Sequence, residues 1–122
     1  MKTILTIAFT LAIFTNMNAQ TTSNYFRTAR IVVDSSRLEE YKAALAEHAK
    51  AAVKLEPGVI MLYAVYEKNN PTHVDVFEVY KDLKAYQSHI KAPHFLKYKE
   101  TVKDMVKSLE VTDAVPIALE RK

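Results

Sequence analysis

The 122-residue sequence contains no cysteine and no tryptophan, a single glycine and four prolines. Without cysteine there is no disulfide, no thiolate nucleophile, no Cys-based zinc site and no residue to carry a lipid anchor. The core must therefore hold the fold alone, which about 100 residues allow, although dimerisation helps a domain of this size. A formal net charge of +3 is also small. There is no basic cluster and no interleaving of aromatics with arginine, which excludes nucleic acid as a partner.

The N-terminal segment MKTILTIAFTLAIFTNMNAQ has Lys2, an apolar run from Ile4 to Phe14, and small or polar residues leading to Ala19. This is the layout of a secretory signal peptide cut after Ala19, so the protein is expected to be exported, periplasmic or secreted. The run falls short of the ~20 apolar residues that a spanning helix needs, so no stable membrane anchor is expected. Residues 1–19 are thus read as signal peptide and 20–122 as one domain.

The rest of the chain alternates strands and helices. Phe26–Asp34 alternates Arg27, Ala29, Ile31 and Val33 with Thr28, Arg30 and Val32, the pattern of a strand. Mid-strand, Arg30 must reach solvent or a carboxylate. Ser36-Arg37-Leu38-Glu39 fits a capping box, followed by the helical stripe Leu38, Tyr41, Leu45, His48, Ala52, Leu55. His48 lies within that stripe and should face the core. Pro57 stops the helix and Gly58 permits the turn. Val59–Glu67 is a strand apolar on both faces, hence covered on both. A turn at Lys68–Pro71 leads into a third strand, Thr72–Tyr80, with Val74, Val76, Glu78 and Tyr80 on one face. Asp82 opens a helix over Leu83–Ile90 with Leu83, Tyr86 and Ile90 inward. Pro93 opens another, whose stripe Phe95, Tyr98, Val102, Met105, Val106, Leu109 again has helical spacing. Glu110–Leu119 reads as a last strand, which Pro116 either keeps to an edge or turns so that the proline faces away from a partner.

This order predicts an α+β fold of the ferredoxin-like split β-α-β type, with one antiparallel sheet and helices on one face. The bare apolar sheet face predicts a sheet-to-sheet homodimer. The densest polar chemistry runs from Glu78 through Tyr80 and His89 to His94. No H-x-H or H-x-x-x-H spacing marks a metal site, and none is assigned.

Glu56-Pro57-Gly58, Leu62-Tyr63, Asn70-Pro71-Thr72, Phe77-Glu78-Val79-Tyr80, Ala85-Tyr86-x-x-His89 and Pro93-His94-Phe95, in this order, resemble the antibiotic biosynthesis monooxygenase (ABM) domain, and more narrowly its quinol monooxygenase branch. The resemblance spans about Arg30 to Leu119. It implies a dimeric α/β barrel with a pocket between sheet and helices, and oxidation of phenolic or quinol-type aromatics by molecular oxygen with no metal, flavin or other cofactor. Glu78 and Tyr80 match the family's third-strand positions, and His89 and His94 match its two histidines. Haem-degrading relatives carry a tryptophan where Tyr80 stands and a histidine near Lys99; both are absent, which disfavours haem.

Such oxygenation needs a base, an aromatic slot and stabilisation of the substrate anion. The candidates are His89 or His94 as base, with Glu78 orienting the imidazole or holding Arg30. Tyr66, Tyr80 and Phe95 would line the slot, and His48 would close it. The expected partners are a small aromatic substrate, O2 and a second copy of the chain. The competing reading is an exported, non-catalytic module that binds a small ligand in the same pocket.

Overall fold

The computed structural model describes residues 23–122, so the expected signal peptide lies outside the described residues. The elements are β1 (Tyr25–Val33), α1 (Leu38–Leu55), β2 (Val59–Glu67), β3 (Asn70–Tyr80), α2 (Leu83–His89), α3 (Pro93–Val102) and β4 (Val106–Ala114). They form the expected α+β fold: a four-stranded antiparallel sheet of order β2-β3-β1-β4 carrying the helices. None of the described helices is long and apolar enough to cross a membrane.

Strand alternation decides which side chains meet the helices. Ala29, Ile31 and Val33 of β1 and Val74 and Val76 of β3 are buried on the inner face, against Tyr41, Leu45 and Ala52 of α1. In the same register Arg27 lies opposite Glu78, so a cation and a carboxylate are neighbours on the inner sheet face. Arg30 is out of phase with both and points to the opposite face.

Two bulges change the expected pattern. The β2–β3 register slips between Val59 and Met61, placing both Val59 and Leu62 inward. A second slip sets Ser108 opposite Val32 but Val106 opposite Val33. The extra residue puts Val106 and Leu109, three apart, on one face of a strand, a spacing that imitates a helix. Helix α3 accordingly ends at Val102, and the last strand is Val106–Ala114 instead of Glu110–Leu119. Pro116 lies beyond it.

Local signals also resolve differently. The Ser36 capping box does not form. Instead Asp34 accepts from the Ser36 amide at 2.9 Å and its hydroxyl at 2.8 Å, and a 3-10 turn over Ser35–Arg37 precedes α1. The Asp82 carboxylate caps α2 by accepting from the Ala85 amide at 2.8 Å. Leu55 and Leu83, expected inward, are exposed at the ends of their helices. Gly58 does not adopt positive φ. Its role is close approach, since a Cβ there would lie 2.6 Å from that of Ala85. The missing methyl lets α2 seat against the start of β2.

Candidate functional site

A cavity of about 220 Å³ lies between the sheet and the helices. Arg27, Val76 and Glu78 belong to its floor; Tyr41 and His48 of α1 and Phe95 and Tyr98 of α3 belong to its roof. Tyr86 and Lys99 also border it. The walls are mostly apolar or aromatic, with a few polar groups among them, the usual make-up of a small-molecule site.

On the floor, Glu78 Oε1 accepts a hydrogen bond from the Tyr80 hydroxyl at 2.7 Å. Tyr80 is fully buried. Burial raises its phenol above the usual range and the adjacent Glu78 carboxylate adds to this, so the hydroxyl stays a neutral donor. Arg27 Nη1 donates to Asp113 Oδ1 at 2.8 Å and to the Tyr25 hydroxyl at 3.0 Å. Its guanidinium lies 4.3 Å from the Tyr86 ring centre, a cation–π contact.

On the roof, His48 stacks on Tyr98, with ring centres 4.8 Å apart and 13° between planes. Tyr98 and Tyr41 share a 2.7 Å hydrogen bond between hydroxyls. Burial, reinforced by the neighbouring His89 and His94, lowers the His48 pKa to about 4. His48 is therefore an uncharged imidazole at neutral pH, able to accept a proton. Its Nδ1 is buried without a partner among the described residues.

Behind His48 lies a second polar cluster. Glu56 Oε2 is 2.7 Å from His89 Nδ1 and 2.6 Å from His94 Nε2. An ionised Glu56 only accepts, so both rings donate to it. This fixes the His89 tautomer and leaves its Nε2, also buried and unpartnered among the described residues, as the ring's free nitrogen. The His89 ring centre is 5.1 Å from that of His48 and 5.3 Å from that of Tyr80. The donor atoms of Glu56, His89 and His94 lie within 4.8 Å of one another and could hold a metal ion. As it stands, the carboxylate is already satisfied by two N–H donors.

The structure therefore brings His48, Glu78 and Phe95 to the cavity wall and packs Tyr80 beneath Glu78. His89 and His94 converge on the roof but sit behind His48, outside the cavity lining. Their orienting carboxylate is Glu56, not Glu78. Two placements are corrected. The Arg30 side chain is 82% exposed on the outer sheet face, with Asp75 Oδ1 at 3.9 Å, and does not reach Glu78. Tyr66 is half-exposed on an edge strand, under the Lys42 ammonium at 4.7 Å, and does not line the cavity. Arg27 and Glu56 were missed as site residues. Arg27 shares its strand face with Ala29, Ile31 and Val33, and that phase was the available signal. Glu56 carried no signal beyond its place before the helix-ending Pro57.

The fold and cavity define a small antiparallel α+β domain with a compact cavity between one sheet face and its helices. The sequence profile described as antibiotic biosynthesis monooxygenase matches residues 24–101, and the chain belongs to that family. It is similar to the crystal structure of a B. thetaiotaomicron protein whose name assigns it provisionally to these monooxygenases. The two are 51% identical over 82% of this chain and 97% of that one, with a TM-score of 0.79. A provisionally named monooxygenase from Lactobacillus acidophilus is 28% identical over 77% of this chain and 45% of its own, with a TM-score of 0.75. A Nitrosomonas europaea structure, 21% identical over 77% of this chain and 90% of its own with a TM-score of 0.73, shares the fold. Among curated proteins none matches the chain.

Proposed function

We propose that the domain is a cofactor-independent monooxygenase of a single-ring phenolic or quinol-type aromatic. The observation that carries this reading is the neutral His48 imidazole on the wall of an aromatic cavity whose floor holds the Glu78–Tyr80 pair. A cavity of about 150 Å³ takes one benzene ring, so about 220 Å³ suits one ring with small substituents.

In this reading His48 takes the phenolic proton, and the phenolate that forms stabilises the new imidazolium at short range in a dry site. The electron-rich anion then reduces O2. Over the reaction the ring loses the hydroxyl hydrogen and one ring hydrogen and gains one oxygen atom as a second carbonyl. The other oxygen atom leaves as water. His89, held by Glu56 and backed by His94, positions His48 from behind. Glu78, itself held by Tyr80, receives the far end of the ring.

Oxygen uptake with a panel of hydroquinones and substituted phenols tests this. Turnover is expected with at least one member, and His48→Ala should lower kcat/KM by about 10²-fold. Full turnover in that variant, tight binding with no oxygen consumed, or conversion under nitrogen would each overturn the reading; the second outcome is that of a binding module.

We also propose that the domain works as a homodimer formed through the outer sheet face. Tyr63 and Phe77, cross-strand partners, and Val65 beside them are large apolar residues exposed there, the kind of patch that marks an interface. By light scattering the protein is expected at twice the chain mass, and Phe77→Lys at the chain mass. A monomeric parent protein would overturn the proposal.

A further inference from the structure

The guanidinium of Arg27 is used on one edge only. Nη1 makes both of its hydrogen bonds, to Asp113 and to the Tyr25 hydroxyl. Among the described residues neither Nε nor Nη2 has an acceptor, and Nε is fully buried. The side chain as a whole is 15% exposed. Nη2, which is not closed off as Nε is, is left without an acceptor, and a charged N–H donor of this kind suits a carboxylate. A charged donor left without an acceptor calls for an anionic partner.

The obvious partner is Glu78, directly opposite on β3. Yet the two charges do not pair: Arg27 turns to Asp113, and Glu78 takes the Tyr80 hydroxyl on Oε1. Glu78 Oε2 has no donor among the described residues. Both side chains line the cavity, as does Tyr86 beneath the guanidinium. The floor thus presents an unused guanidinium donor, Arg27 Nη2, and an unused acceptor, Glu78 Oε2.

We infer that the cavity is built for a hydroxylated aromatic carboxylate: the ligand's carboxylate accepts from Arg27 Nη2, and a ring hydroxyl donates to Glu78 Oε2. This rests on the cavity being the substrate site, as proposed above, but not on oxygen chemistry. It narrows the substrate from any small phenol or quinol to a quinol acid, whose second hydroxyl is the one that meets His48. Lys99, also bordering the cavity, adds a second positive charge favouring an anion.

Anaerobic titration calorimetry with three ring-matched probes tests the inference: 4-hydroxybenzoate, its neutral methyl ester, and benzoate. The hydroxy acid is expected to bind about tenfold or more tighter than the ester, which cannot offer a carboxylate. It should also outbind benzoate, which lacks the donor for Glu78. Arg27→Lys keeps the charge but lacks the Nη2 arm, and should remove most of the preference for the acid over the ester. The parent-protein comparison needs no variant to fold, and a melting curve checks Arg27→Lys. Equal affinity for acid and ester, or no binding of any probe, overturns the inference. Tight acid binding without oxygen uptake would sink the monooxygenase reading and leave this one standing. Oxygen uptake on neutral hydroquinones with no preference for the acid would do the reverse.

Discussion

Replacing Glu56 by alanine is expected to lower the unfolding free energy by about 3 kcal/mol, because it strands two hydrogen-bond donors in the helical layer. Glu56 follows α1 as its C-terminal cap, and its backbone amide donates to the Ala52 carbonyl. Its carboxylate then reaches across to His89 at the end of α2 and His94 in the first turn of α3. One oxygen thus ties three helices together. Helix α2 has only seven residues, too few to be stable alone. It is held by the Asp82 cap, the close seat of Ala85 on Gly58, and this carboxylate. His89 is fully buried and cannot turn to water, so its orphaned N–H bears most of the cost; His94, nearer the surface, can be hydrated. Glu56→Gln keeps an acceptor oxygen but loses the charge, and should cost about half as much. Urea denaturation with unchanged slope would measure both. A loss below about 1 kcal/mol for the alanine variant would mean that the cluster does not hold the helices together.

The strand phases and the α1 stripe were legible because both are local patterns: Tyr41, Leu45, His48 and Ala52 are buried as their spacing requires. The two bulges were not, since an extra residue in a strand leaves only a spacing of three, which Val102, Met105, Val106 and Leu109 share with a helix. Capping failed for a related reason: Asp34, two residues before Ser36, takes the Ser36 amide and hydroxyl for itself. At the site the line falls between local and distant neighbours. The histidines and the Glu78–Tyr80 pair show as a dense stretch of polar residues. Glu56 is 33 and 38 positions from its partners, and nothing local announces a contact of that span. Arg30 drew a role because a charge in mid-strand demands a partner. The inner face, set by Val74 and Val76, gives that role to Arg27, which the alternation of β1 already placed with Ala29 and Ile31.

Acidification should destabilise the protein through His48, and the direction follows from its burial. In the unfolded chain its imidazole titrates near the ordinary value of about 6.5, whereas in the folded protein it does so at about 4. Between these values the unfolded state holds a proton that the folded state refuses. Stability is therefore unaffected by this group above pH 6.5, falls as the pH drops through the interval, and reaches its full loss near pH 4. A difference of this size corresponds to about 3 kcal/mol. The test is comparative, parent against variant. His48→Phe preserves an aromatic ring against Tyr98 and removes the proton site. Unfolding free energies measured in urea from pH 7 down to pH 4 should fall more steeply in the parent than in the variant, the gap widening by about 3 kcal/mol. Parallel curves would show that His48 is protonated as easily inside the fold as outside it. The same property sets the acid limb of catalysis. A base kept neutral by burial stays available to the substrate well below the ordinary histidine range, so kcat/KM should hold from neutrality to about pH 5 and decline only towards pH 4. A decline centred near pH 6.5 would assign the base to a different group.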